Sequence, residues 1–491
     1  MSRTAHHGRH SFAGKNRLCN VRHHHEPKVG RFGRMFPQLP PLYTAPKWLE
    51  ALGGPEGPMR TQGDPKRTKS VPLGMIFLGQ FIDHDITFDT ASNFSRINEP
   101  ESIENVRTPT LDLDCVFGGG PEANPYLYDD PNGRGLYLLT GKTNNNLGQG
   151  PNLEIHDLPR NGRGTALIGD PRNDENRIIS QLQLAFIRFY NYVYQHVANQ
   201  HPSYPAIEVY EEARSLVTWH YQWIVIHEFL PHMCGQAMVD RMLGQGRQWY
   251  CPPNDQPFIP VEFSVAAYRF GHSMIAQNVS LQPGAPEKSL FDPSVGGGFS
   301  AISNLAQVVD WQGFFDFDGS FQRAEQLDGQ MANILLALPF INGPAADKSL
   351  ATRNLRRGQS FLLPSGESVA RAVNRTDNEI NDVQNKIQNL LHGHHIHLEA
   401  GTPLWYYILA EAEEIGREEN HGKTSKGEGL GPVGATIVGE VMMGLMELDN
   451  RSFLGTNRDW RPSGIGLDAH DGKAHFTMVD LLNLAEQGKD L

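Results

Sequence analysis

From Ile178 to Val197 the chain reads IISQLQLAFIRFYNYVYQHV, and this run constrains the fold more than any other stretch. Its spacing is helical and it is apolar almost all round, so it belongs inside a body that covers it on every side. Asp170 can cap such a helix and Pro171 suits its first turn, which places it at about 171–198. Other helical stretches fall at about 206–229, 261–279, 328–338, 377–391, 402–415 and 433–446. An apolar run from Leu73 adds one more. Strands are few and short, and no internal repeat is found. Residues 100–168 are rich in Gly, Asn and Pro, a loop region of a length that is usually functional. The class is mainly α, with few short strands and long loops.

A chain of 491 residues can bury a large core. Residues 1–30 are polar, His-rich and aperiodic, and read as an arm; residues 31–491 read as one domain that opens on an extended, Pro-rich segment, RFGRMFPQLPPLY. A net charge of -12 argues against nucleic acid as a partner. Cys19, Cys115, Cys234 and Cys251 are too scattered for a disulfide framework, and no CxxC occurs. The basic N-terminus lacks an apolar h-region, and no window of about 18 apolar residues exists. The cytoplasm is therefore the expected location and no membrane span is expected, although leaderless export or packaging in a compartment would leave no trace in the sequence. The HGHHIH run at 392–397 has no recognised metal-ligand spacing.

Three segments carry chemistry. In GQFIDHDITFD, Gln80 and His84 are four apart and share a helix face, while Asp83 and Asp85 diverge by roughly 100° to either side. The polar groups cannot share one task, and a helix end with solvated acids is the bland alternative. In GDPRNDENRI, Arg172 and Glu175 are three apart at the head of the buried helix, as a structural ion pair or a site. In AAYRFGHSMI, His272 sits in an apolar-leaning helix, as a core histidine or a ligand.

Taken together with RTPTLDLDCVFG, DLPRNGRGTALIGDPRNDEN, RNLRRG and GTPLWYYIL, in this order from about Arg31 to about Ala485, these segments resemble the animal-type haem peroxidases of the peroxidase–cyclooxygenase superfamily, in the form bacteria carry. The resemblance implies a helical fold around a buried haem b. It implies that His84 moves the peroxide proton on the distal side, that Arg172 stabilises charge as O–O cleaves, and that Gln80 holds cavity water near the halide site. His272 matches the proximal iron ligand, and Asn354 the asparagine that accepts a hydrogen bond from its far nitrogen. Arg269 and Arg357 match arginines that meet the haem propionates. Asp83 and Glu175 match the two acids that form ester bonds to the haem methyl groups. Asn176 stands where the most oxidising relatives have a methionine, which excludes a sulfonium link. Gln183 replaces a histidine common in relatives and reads as a packing change.

The segment Thr108 to Asp114 sets Thr108, Thr110, Asp112 and Asp114 on one side of an extended chain, hard oxygen donors suited to Ca²⁺. The resemblance adds Asp85 to that set and assigns the carbonyl of Thr110. The implied activity is reduction of H₂O₂ coupled to oxidation of iodide, bromide, thiocyanate or phenols. A fatty-acid oxygenase of the same superfamily is the alternative, but it needs a tyrosine three residues before the proximal histidine, where this chain has Arg269 and places Tyr268 one residue off. A non-catalytic haem-binding or adhesion module predicts a damaged distal set, whereas Gln80, His84 and Arg172 are all present.

Overall fold

The computed structural model describes residues 30–93, 96–129, 135–466 and 475–491. The predicted arm therefore lies, apart from Gly30, outside the described residues. The described chain is mainly helical, in the order α1 (Pro46–Gly53), α2 (Leu73–Ile86), α3 (Asp114–Phe117), α4 (Arg177–Gln200), α5 (Ala206–Ile224), α6 (Gln236–Gln245), α7 (Gly271–Met274), α8 (Leu350–Ser360), α9 (Gly366–Ala372), α10 (Asp377–Gly393), α11 (Leu404–Glu414), α12 (Pro432–Glu447) and α13 (Met478–Gln487). Strands occur only as two-stranded pairs among these residues, such as Phe32–Gly33 beside Ile259–Pro260. No described helix is long and apolar enough to cross a membrane.

The apolar helix α4 is the axis of the core, with α5 and α13 packed along it. Phe81 of α2 stacks on Phe186 of α4, centroids 4.5 Å apart and planes 8° from parallel, and Tyr221 of α5 meets both rings edge-on. This aromatic joint fixes α2 against α4. The polar residues within α4 are buried, and the loop region before it satisfies them: Arg188 and Gln181 donate to the Ile155 and His156 carbonyls, and Asn191 pairs with both backbone groups of Leu138. Burial of polar side chains without such partners would be costly.

Several boundaries differ from expectation. Asp170 caps a separate turn at Pro171–Asp174, and Asn176 caps α4 itself, accepting from the Ile179 amide at 2.9 Å. The site side chains of 170–175 thus sit in a turn ahead of the helix. The stretch at 206–229 is α5 followed by a π-turn, Val225–Phe229. That at 261–279 breaks into a π-turn (Glu262–Ala266), a 3₁₀ turn (Ala267–Phe270) and the single turn α7. Glu262 is spent there as an anion for the amides of Met35 and Phe36. The stretch at 328–338 is helical only as a 3₁₀ turn, Asn333–Leu336. Helix α8, which carries Asn354 and Arg357, was hidden by its arginines, since its mean hydropathy is low.

Candidate active site

Helix α2 is apolar from Leu73 to Phe77 and stops at Thr87, whose amide still bonds Asp83 O at 2.9 Å while its own backbone turns extended. Just before the stop lie Gln80, Asp83, His84 and Asp85. Across from it, the segment before α7 touches α2: the Tyr268 hydroxyl donates to Gly79 O at 3.1 Å, and the Gly271 backbone faces Ile76. His84 and His272 therefore stand on two elements that meet one to two turns away.

His84 is buried, and Nδ1 lies 2.7 Å from Asn173 Oδ1. Asn173 Nδ2 donates to Gln183 Oε1 at 2.7 Å, and Gln183 Nε2 donates to Cys115 O at 3.3 Å. Gln183 is thus no mere packing change: it joins α4 to α3 and, through Asn173, to His84. Sequence reading missed both amides because a buried Asn or Gln has no spacing signature. Burial, and the Arg172 cation next, pull the His84 pKa down to about 4, so the ring is neutral at pH 7.

Arg172 donates through Nε and Nη2 to Asp170, through Nη2 also to the carbonyls of His84 (3.0 Å) and Thr87 (2.7 Å), and lies over the Phe88 ring at 4.3 Å. Asp170 is shared with Arg107, whose Nη1 meets Asp114 at 3.1 Å. Gln80 donates to the Glu175 carboxylate. Burial pushes the Glu175 pKa up to about 7, with Asp170 and Asp83 adding to the rise against Arg172. Asp83 accepts from the Thr87 hydroxyl at 2.8 Å. Gly298 lies against the carbonyls of Asp174 and Glu175, where a Cβ would collide with both.

On the proximal side, burial and then Arg269 lower the His272 pKa to about 3. Its Nδ1 is 2.9 Å from Asn354, but the amide is turned away from the expected arrangement: Nδ2 faces His272, while Oδ1 accepts from Arg269 Nη1 at 3.1 Å. Arg269 claims the oxygen because it is a buried cation short of anions. Burial and the nearby Arg357 depress its pKa to about 10. Arg357 itself reaches Asp89 at 3.1 Å and Ser92 at 2.6 Å.

These features fit a haem. Gln80, Asp83, Glu175, Arg269, His272 and Arg357 all keep part of their surface accessible, although burial dominates the titration of His272 and Arg269, as for side chains that line an internal cleft. Two neutral imidazoles offer a ligand and a base, and Arg269, bonded only to neutral oxygens, and Arg357, bonded to Asp89 and Ser92, lie on the His272 side as cations suited to carboxylates.

The acids form a second centre. Carboxylate oxygens of Asp85, Asp112 and Asp114 lie within 4.8 Å of one another, all buried. The chain there is bent, not extended: Leu113 is left-handed (φ 57°) and Asp114 opens α3, so a turn, not strand alternation, brings the acids together. Thr108 Oγ1 donates to Asp112 at 2.9 Å; Thr110 Oγ1 and Asp85 Oδ1 have no partner. Burial and the neighbouring acids raise the Asp85 pKa and bring that of Asp114 up to about 7. Arg107 meets Asp114, and Arg451 reaches Asp112 at 3.3 Å, whereas Asp85 faces the other two acids with one oxygen unpartnered; that oxygen and Thr110 Oγ1 are donors that fit a hard divalent cation.

A model of the animal haem peroxidase family matches residues 89–314, which include Thr108–Asp114, Arg172, Glu175 and His272 and stop short of Gln80–Asp85 on one side and Asn354 on the other. The chain is similar to the animal haem peroxidases. Eosinophil peroxidase of Mus musculus is 34% identical over 186 residues, 36% of this chain and 25% of that one. Thyroid peroxidase of Canis lupus familiaris is 26% identical over 291 residues, 55% of this chain and 30% of that one. The matches thus span less than a third of these relatives. Among solved structures, peroxidase A from Dictyostelium discoideum superposes with a TM-score of 0.58 at 16% identity, covering 91% of this chain and 96% of that one. The fatty acid alpha-dioxygenase of Oryza sativa gives 0.56 at 16% identity, covering 95% and 80%. The fold is therefore like that of a peroxidase and of a fatty acid dioxygenase alike.

Proposed function

We propose that this chain is a haem peroxidase that reduces H₂O₂ and oxidises small donors such as iodide, bromide, thiocyanate and phenols. The observation that carries this reading is the neutral, anchored His84 beside Arg172 and Gln80, with His272 on the adjoining element. Haem b, when bound, supplies an iron centre able to take two electrons' worth of oxidation from peroxide. His272 would hold the iron, Arg269 and Arg357 the propionates, and Asp83 and Glu175 the haem edge as esters. His84 takes the proton from one peroxide oxygen and returns it to the departing one. Arg172 has its Nε and Nη2 donors committed to the protein, so it acts by its fixed charge on the oxygen that gains electrons. A carboxylate that engages Arg269 would release Asn354 Oδ1 to turn and accept from His272 Nδ1. Asp85, Asp112, Asp114 and Thr108, with the Thr110 carbonyl, would hold Ca²⁺ and so pin the end of α2.

The test is the absorption spectrum of the purified protein before and after acid-acetone extraction, and after H₂O₂. A Soret band that resists extraction and shifts with peroxide supports both the reaction and the esters. Extractable haem with the same shift removes the esters alone. Protein made with haem available that contains none overturns the reading.

The oxygenase alternative draws on Tyr268, whose buried phenol sits beside α2 among Phe229 and Phe263. Oxygen uptake with a long-chain fatty acid in place of peroxide, abolished in Tyr268→Phe, would favour it. Arg269, at the expected tyrosine position, instead bonds Asn354 and Ser264 O.

A further inference from the structure

The chain of amides behind His84 has only one consistent polarity. Cys115 O is a backbone carbonyl and can only accept, so Gln183 must present its NH₂ there and its oxygen to Asn173. Asn173 must then present its NH₂ to Gln183 and its oxygen to His84 Nδ1. Reversing either amide alone sets oxygen against oxygen. Reversing both sets the Gln183 oxygen against a carbonyl in a place closed to bulk solvent, since Asn173 and Gln183 are both 0% exposed.

We infer that Asn173 and Gln183 are positioning residues that fix His84 as the Nδ1–H tautomer and leave Nε2 as the bare nitrogen that accepts a proton. A histidine with the opposite tautomer would point an N–H at the peroxide and could not act as base. The device runs from a carbonyl of α3, through α4, to the turn that carries Arg172, so the proton-accepting nitrogen is chosen by main-chain geometry outside the distal pocket. Its place in catalysis rests on the peroxidase reading; the tautomer itself does not.

The tautomer is read directly in the full-length protein, as purified, labelled with ¹⁵N-histidine. Long-range ¹⁵N–¹H spectra at neutral pH distinguish Nδ1–H from Nε2–H, and the His84 signals are those missing from His84→Gln. The expected result is Nδ1–H in the unmodified chain. Gln183→Met should convert His84 to a mixture or to Nε2–H, and slow the peroxide reaction of the haem-loaded protein by tenfold to a hundredfold at unchanged haem content. Gln183→Glu, protonated so that its O–H donates to Cys115 O, keeps an oxygen facing Asn173 and should keep Nδ1–H. An Nε2–H His84 in the unmodified chain overturns the inference, and the only variant that has to fold for that result is His84→Gln, used for assignment. So does an unchanged tautomer in Gln183→Met. An Nδ1–H His84 in a protein indifferent to peroxide upholds the positioning role and counts against the proposed reaction.

Discussion

The guanidinium of Arg172 closes the end of the helix that carries His84, donating through one nitrogen to His84 O at 3.0 Å and to Thr87 O at 2.7 Å. The cation therefore braces the backbone that carries His84, and in the proposed reaction it would act on the peroxide as well. The last carbonyls of a helix lack intrahelical donors, and a cation there is favourable.

Arg172→Lys keeps the charge and loses the planar fork that spans Asp170 and two carbonyls. The second-order rate of the peroxide-induced Soret change should fall on the order of 10²-fold, the range expected when the charge and the backbone it braces shift by about 1 Å. Stopped-flow absorbance measures it. A rate within twofold of the parent would mean that the fork is dispensable.

Glu175 should tie stability to pH. Its pKa is about 7 in the fold against 4.5 for the free side chain. Between these values the unfolded chain has lost the proton and the folded chain keeps it, so stability falls as pH rises from about 4.5 to about 7 and then levels. The effect is at most about 3 kcal/mol. Urea unfolding of the haem-free protein across that range should show this contribution as the difference between the parent and Glu175→Gln profiles, because Asp114 and His84 titrate there in both.

The acid cluster gives a prediction with two signs. Asp85→Asn removes one of three crowded carboxylates, so metal-free protein should melt at the same temperature or higher than the parent. The same change should abolish the rise in melting temperature that Ca²⁺ gives the parent, about 2.7 kcal/mol at a hundred times Kd. Calorimetric melting with chelator and with Ca²⁺ separates the two. A parent that ignores Ca²⁺ would remove the metal from the site.

Phe81→Ala opens the joint between α2 and α4. A buried phenylalanine cut to alanine costs about 3–5 kcal/mol. Denaturant midpoints should show that loss, with haem retained, because no site side chain is touched.

Most of the candidate polar site is named by the resemblance, because spacing alone (Gln80 with His84, Arg172 with Glu175, the alternating oxygens of Thr108 to Asp114) leaves a solvated helix end, a structural ion pair or a plain loop equally open. What spacing could not convey is how they are held. The acids converge through a left-handed Leu113, which no strand pattern anticipates. The helix at 261–279 yields to a π-turn because Glu262 is needed by the amides of Met35 and Phe36, more than two hundred residues earlier. Asn354 was found but its rotation was not, because which end of an amide faces a partner depends on what competes for the oxygen, here Arg269. Asn173 carries no signal in the sequence, and Gln183 reads there only as a packing change, since neither residue type advertises a role until its neighbours are known.

Gly298 belongs to a surface loop, yet its missing side chain sets how deeply Glu175 can sit. Any larger residue would drive the loop outward or push the backbone of 174–175 toward α2. Under the proposed function, one added methyl group would then disturb haem attachment and peroxide turnover together while leaving every reactive side chain chemically intact. A screen for silenced variants would find lesions in this glycine-rich loop and, looking only at reactive groups, find no cause.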